Sequence, residues 1–321
     1  MTKQAEIYNP IYNDEAAARA HLERLLWPDG PICFHCGVVD EATLLKGEST
    51  RPGLYKCRAC RKPFTVTMGT IYERSHIPLH KWFLATHLLC SSKKGMSASQ
   101  LHRELGFGSY RTAWFMAHRI REAMKPGPDG RPPLGEGGRI VEADETYYGK
   151  TAEPKESPYR RDRPYKKGSR GPRNKRAVVA LVERGGSIRT FHVGSADQFT
   201  VHAILKANVS PDAMLSTDES RLYAGALEWV ADHGTVKHSA GEYVRDWVHT
   251  NSLEGYFSIF KRGMRGIYQH CAEKHLHRYL AEYDFRYNHR IALGFNDNDR
   301  TELAILGAHG KRLTYRRTHA A

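Results

Sequence analysis

No stretch of this 321-residue sequence approaches the roughly 18 consecutive apolar residues of a membrane helix, and candidates such as residues 177–182 are far too short. The first ten residues lack the apolar core of a secretion signal, so nothing points to export. Glycine and proline, at 28 and 15 residues, follow no strict period, which excludes a collagenous or low-complexity chain. There is no internal repeat. Acidic residues are in the minority: 35 Asp plus Glu stand against 49 Lys plus Arg, a net charge of +14 with a pI near 9.5.

What is present suffices for folding. Apolar residues make up 40% of the chain, with 17 Tyr, 11 Phe and 5 Trp, enough to fill a core, and the length suggests about two domains. The basic excess points to a polyanionic partner, because Lys and Arg displace counterions condensed on nucleic-acid phosphate. It is also clustered. Residues 150–176 carry 11 basic side chains against Glu153, Glu156 and Asp162, which is +8 of the total, and four prolines interrupt the run. This segment is expected to stay extended and mobile until it meets phosphate, with Lys166, Lys167 and Arg170 as contacts.

Residues 126–138 contain 4 Pro and 5 Gly among 13 positions, a density that neither a helix nor a central strand survives. We read them as a linker. Before it lie a helical arm (1–30), a cysteine-bearing segment (31–70) and a helical region (71–125). Within that region, helices over 97–105 and 110–124 flank a Gly-containing turn, which suits either a helix-turn-helix or an ordinary helical hairpin. In the first case Arg111, His118, Arg119 and Arg121 would face DNA. After the linker the period changes. Strands are expected over 139–148, 176–183, 188–194 and 213–217, with helices over 199–207, 219–230, 251–267 and 273–291, a small α/β domain within 139–292. Residues 293–321 read as a basic tail.

Four of the six cysteines form Cys33-Phe-His-Cys36 and Cys57-Arg-Ala-Cys60, with 20 residues between the pairs. A CxxC turn presents two thiolates, and two such turns complete a tetrahedral Zn²⁺ site. Four ligands leave no position for a reacting water, so the expected zinc is structural. Lys56, Arg58, Arg61 and Lys62 beside the second pair suggest a DNA-contacting knuckle. His35 reads as a loop residue, and Cys90 and Cys271 as small hydrophobes.

Three acids of the second unit raise the catalytic question. Asp144 lies in the strand RIVEADETYY, sharing a face with Glu142 and Thr146, while Glu145 points the other way. Asp218 ends an apolar strand, and Glu254 opens a helix with Leu253, Phe257, Phe260, Met264 and Ile267 at buried spacing. Each has a bland alternative: a Lys or Arg partner for Asp144, a capping box in Ser216-Thr-Asp-Glu219, and another from Asn251 to Glu254. Together, however, they are suited to converge on a pair of divalent cations for phosphodiester transfer, with Lys261 and Arg265 on the face of Glu254 to grip phosphate.

VEADETYYGK, STDES and HTNSLEGYFSIFKRGMRG followed by KHLHRYLAEYDFRYNHR resemble the ISXO-type DDE transposases of prokaryotic insertion sequences. The resemblance spans nearly the whole chain from the first CxxC pair to about Ile291. It implies a ribonuclease-H-like (integrase-type) α/β catalytic domain behind a zinc ribbon. It further implies Asp144 and Asp218 as catalytic acids, Glu254 or Asn251 as the third, and Lys261 as the basic residue seven positions on. Asp218 and Glu254 are separated by 35 residues, a spacing common among integrase-like enzymes; Glu254 is favoured as the better ligand for a hard cation. The implied cofactors are Zn and two Mg²⁺ or Mn²⁺. The implied partners are double-stranded DNA, bound by Arg111, Arg119, Lys166, Lys167, Arg170, Lys261, Arg262 and Arg265, and a second copy of the chain, in the cytoplasm on the nucleoid.

Two other classes compete. His275-Leu-His277 with Tyr279, Tyr283 or Tyr287 has the form of a single-strand nuclease with a covalent tyrosine. A zinc-ribbon DNA-binding protein without catalysis, or a transposase whose active site has decayed, is the other. His238 and His249 are candidates to shape the site, but no sequence argument separates them from ordinary loop histidines.

Overall fold

The computed structural model describes residues 6–127, 131–152, 156–157, 160–164 and 174–314. The chain divides into two compact units, Met1–Gly127 with Phe295–Ala321, and Pro128–Gly294.

In the first unit, helix α1 (Glu15–Leu26) starts where Asp14 accepts a hydrogen bond from Ala17 N–H at 2.6 Å, and it buries Ala18 and Leu22. A three-stranded antiparallel sheet follows, β1 (Ala42–Leu44), β2 (Tyr55–Cys57) and β3 (Pro63–Phe64). Its small core gathers Cys33, Cys57 and Phe64 under Trp27 and Tyr55. Helix α2 (Leu79–Ser91) buries Trp82, Phe83 and Leu89. Helices α3 (Ala98–Glu104) and α4 (Tyr110–Ala123) are capped by Ser97 and Ser109 and joined by a turn in which Gly106 takes φ +61°.

The second unit is built on a five-stranded sheet. Strand β4 (Ile140–Lys150) is followed by the short antiparallel pair β5 (Glu156–Ser157) and β6 (Arg160–Pro164), so part of the basic segment has regular structure; Lys166, Lys167 and Arg170 lie outside the described residues. Then come β7 (Lys175–Glu183), β8 (Ile188–Val193), helix α5 (Gln198–Asn208), β9 (Met214–Asp218), β10 (Asp232–Val236) and helices α6 (Asn251–Gly263) and α7 (Leu276–Asn288). The order across the sheet is β10-β9-β4-β7-β8: β4, β7 and β8 run antiparallel, while β9 is parallel to β4 and β10 to β9.

The period of two in β7 separates two cores. Val178, Ala180 and Val182 meet Leu253, Phe260 and Tyr283 of α6 and α7; Val179 and Leu181 meet Val201 and Leu205 of α5. In β4, Val141 and Ala143 join the α5 side, which directs Glu142, Asp144 and Tyr148 to the α6 and α7 side.

Several expectations change. Half of the linker is docked: Leu134 is buried and its amide donates to Asn208 O, and Gly135, at φ +85°, leaves no room for a Cβ, which would fall 2.4 Å from that of Ala213. The helix expected over 219–230 is two 3₁₀ turns, Arg221–Tyr223 and Ala226–Glu228, with Gly225 left-handed between them. Beyond Gly263, α6 becomes a π turn, Met264–Tyr268, which leaves Ile267 half-buried. Finally, the expected basic tail contains helix α8 (Asp297–Leu306), started by a capping box of Asn296 and Asp299 and packed on α2, where Arg300 donates to Cys90 O at 3.2 Å.

Candidate active site and metal centre

The cysteines come together because each pair sits in a tight turn, the first within the Ile32–Val39 bridge and the second between β2 and β3. Cys33 Sγ lies 3.7 Å from Cys60 Sγ, Cys36 Sγ lies 3.7 Å from Cys57 Sγ, and all four sulfurs are within 4.8 Å of one another. A tetrahedron with metal–sulfur bonds of about 2.3 Å has edges of about 3.8 Å, so the spacing fits Zn²⁺, while disulfides, at about 2.05 Å, are excluded. His35 turns away and meets Pro63 O at 3.1 Å. Cys90 is buried and Cys271 half-buried, both apart from the cluster.

Asp144 and Asp218 are set by strand register. Ile140 pairs with Met214 and Glu142 with Ser216, the last pair between the strands, so Asp144 and Asp218 each lie two residues beyond it and on one face of the sheet. Asp144 is pushed up to about 8, first by burial, then by the negative charges of Glu145 and Asp218 and, least, of Glu254. Glu254 therefore lies within electrostatic reach although it comes from α6. Lys261, two turns along that helix, is lowered by burial and by Arg265 and Lys175, while the charge of Asp144 acts the other way. Acids and cations thus share one region. The acids converge more loosely than the thiols: among the described residues only the cysteines bring three such ligand atoms within 4.8 Å of one another.

Neither capping-box alternative describes these side chains. No α-helix follows Asp218, whose Oδ1 instead accepts from Ser220 N–H at 3.0 Å. The N-cap of α6 is Thr250, so exposed Asn251 is the first helical residue and Glu254 lies one position beyond a capping box. The Glu254 carboxylate is 49% exposed, 4.0 Å from His238 Nε2. Glu142, on the same face as Asp144, pairs with Arg184 Nε at 3.0 Å, with His249 Nδ1 at 3.3 Å; much of the basic segment expected to supply a partner for Asp144 lies outside the described residues.

Of the expected DNA contacts, Arg111 is exposed at the start of α4, Arg262 and Arg265 are exposed and Lys261 is half-buried. Arg119 departs from expectation. It is only 8% exposed, donates to Glu73 O at 3.0 Å and lies over the Trp82 ring, while His118 and Arg121 are buried on the same helix. The face of α4 that seemed basic is largely its packed face. Tyr279 and Tyr283 are likewise buried in the α6 and α7 core, which disfavours either as a nucleophile. Sequence reasoning missed Lys175, and it missed Tyr223, whose hydroxyl donates to Glu145 at 3.0 Å.

Residues 13–63 match a transposase zinc-ribbon domain and residues 135–288 an ISXO2-like transposase domain. The chain thus carries an ISXO2-like transposase domain behind a transposase zinc ribbon. A Halobacterium salinarum relative described as an uncharacterized protein in transposable element ISH50 is 28% identical over 284 residues, 85% of this chain and 90% of the relative. A crystal structure of the Mos1 strand transfer complex aligns with 66% of the chain and 71% of its own at 14% identity and a TM-score of 0.27, too low to carry an argument. Among the described residues, no helix is long and apolar enough to cross a membrane.

Proposed function

We propose that this protein is an insertion-sequence transposase that cuts DNA at element ends and joins the freed strand to a target, with Asp144, Asp218 and Glu254 as its catalytic acids. The observation that supports the reading is that β4 and β9, paired up to Glu142 and Ser216, both carry an acid two residues further on, and that the charges of Asp218 and Glu254 both act on Asp144. The strand order, three antiparallel strands extended by two parallel ones, supports a ribonuclease-H-like fold.

Three carboxylates form a donor set suited to Mg²⁺ or Mn²⁺. Two such ions, when bound, supply charge that activates the attacking oxygen and stabilises the leaving one. The protein's own work is positioning. Asp144 and Asp218 present their oxygens from a rigid sheet, and Glu254 closes the site from the helix. Lys261 and Arg265 hold the phosphate beside the acids, which offsets the repulsion between anionic substrate and anionic site. Water attacks first, and the freed 3′-OH then attacks target DNA in line. The zinc ribbon and the helices α3 and α4, read as a helix-turn-helix, recognise the terminal repeats, and pairing of two ends requires at least a dimer on DNA.

The test is Asp144→Asn. Mg²⁺-dependent cleavage of DNA carrying the element ends is expected to fall to background, with DNA binding by gel shift retained. Undiminished cutting overturns the assignment.

A further inference from the structure

Glu142 is fully buried on β4, two residues before Asp144 and on the same face. A buried carboxylate is tolerated only when matched, and this one is matched at both oxygens. Its Oε2 accepts from Ser252 N–H at 2.9 Å and Leu253 N–H at 3.2 Å; its Oε1 accepts from the Ser252 hydroxyl at 2.9 Å and pairs with Arg184 Nε at 3.0 Å. Arg184 also donates to Trp247 O at 2.9 Å and His249 O at 3.2 Å. Ser216, the register partner of Glu142 on β9, donates to His249 O at 2.8 Å and accepts from His249 N–H at 2.9 Å.

These bonds give α6 an unusual start. Thr250 stands at the N-cap position and makes no side-chain capping bond. The first-turn amides are met instead by a carboxylate from the sheet, whose charge also suits the positive end of the helix. A local cap ties a helix only to the few residues that precede it. A cap from β4 ties it to the strand that carries Asp144. Glu254 follows Leu253 directly, so the bonds that hold Ser252 and Leu253 fix where the third acid stands relative to the first.

We propose that Glu142 is a positioning residue for the acid site, holding the first turn of α6 and with it Glu254 in register with Asp144. The proposal rests on the functional reading above for the role of the acids. It concerns the geometry of the site and not contact with substrate.

The experiment uses the full chain, with Mn²⁺ as the probe, and compares Glu142→Ala, Glu142→Gln and Ser252→Ala. Two quantities are read: Mn²⁺ affinity by paramagnetic resonance, and amide hydrogen exchange over residues 251–256, with β7 as the internal reference. Loss of an outer support of a metal site typically weakens affinity about 10- to 100-fold. Glu142→Ala is expected to fall in that range and to speed exchange in the first turn of α6 while β7 stays protected. Glu142→Gln keeps an acceptor for the two amides and is expected to recover part of both losses, with Ser252→Ala showing the smallest change. Wild-type Mn²⁺ affinity in folded variants overturns the proposal, even if exchange accelerates, since Glu142 would then be structural only. Should Glu142→Ala fail to fold, the other two variants decide by the same measures. If Asp144→Asn binds Mn²⁺ as the wild type does, the reading of the acids as a metal site fails instead; exchange then decides alone, unchanged protection over 251–256 overturning the tether and local acceleration supporting it.

Discussion

The four cysteines and the three acids are both sets of side chains suited to metal, and they are assembled by opposite means. The thiols need two short turns and a sheet of eight residues; their Sγ atoms close to 3.7 Å within a stretch of 28 residues. The acids come from the middle of one strand, the end of another and the first turn of a helix, and they are drawn together by register and packing across more than a hundred residues. A soft, closed, four-ligand site is complete in its local sequence. The acid site exists only as accurately as the sheet and α6 are placed, which is why a buried support such as Glu142 matters there and has no counterpart among the cysteines.

The contrast can be broken at either end. The largest effect is expected from Glu254→Gln, which should reduce metal-dependent strand cleavage by orders of magnitude, whereas Asn251→Ala should leave it within about twofold. Cleavage assays on the two variants side by side decide the third acid; the reverse result assigns it to Asn251. Next comes the ribbon. Structural zinc contributes on the order of 10 kcal/mol or more in small zinc modules, so Cys57→Ala is expected to abolish zinc retention. Metal analysis should drop from about one Zn per chain to near zero, while amide protection in β7 is unchanged.

Phe260→Ala sharpens the comparison from the other side. Phe260 is fully buried on α6 against β4, β7 and α7, and its loss should cost about 3–5 kcal/mol in the unfolding of the second unit, with zinc content unaffected. The smallest effect is electrostatic. Asp284 is half-buried on α7, accepts from Tyr256 OH at 2.7 Å and Thr190 N–H at 3.0 Å, and is pushed up to about 6, chiefly by desolvation of its carboxylate. The folded state thus holds its proton more tightly than the unfolded chain does. That contribution, up to about 3 kcal/mol, is full below about pH 4 and is lost as pH rises through about 6. Asp284→Asn should flatten the stability–pH curve of the second unit between those values, read by urea unfolding at each pH.

Much of the α/β core was legible, since runs such as residues 177–182 and the spacing of Leu253, Phe257 and Phe260 leave little choice of period. Strand β10, Asp-His-Gly-Thr-Val, was not. It is an edge strand with one buried residue, Val236, and owes its extended form to pairing with β9. The turns at 221–228 imitate a helix because Tyr223 and Ala226 face the α5 side at compatible spacing. Helix α8 carried a readable capping box, obscured by the basic residues after it. Arg119 shows a different limit: a cation's charge is visible in sequence, but its burial against Trp82 is not.

By itself the sequence determined the zinc-ribbon cysteines, the basic charge and the candidate acids, because ligand type, turn spacing and charge are local properties. Only the tertiary structure decided which face of β4 carries Glu142 and Asp144 toward α6, and that the strand ending in Asp218 pairs beside it in parallel. It likewise decided that the helix bearing Glu254 is capped from the sheet. Those facts depend on strand register and on where a buried carboxylate finds its partners, and both are settled by packing between elements far apart in the chain.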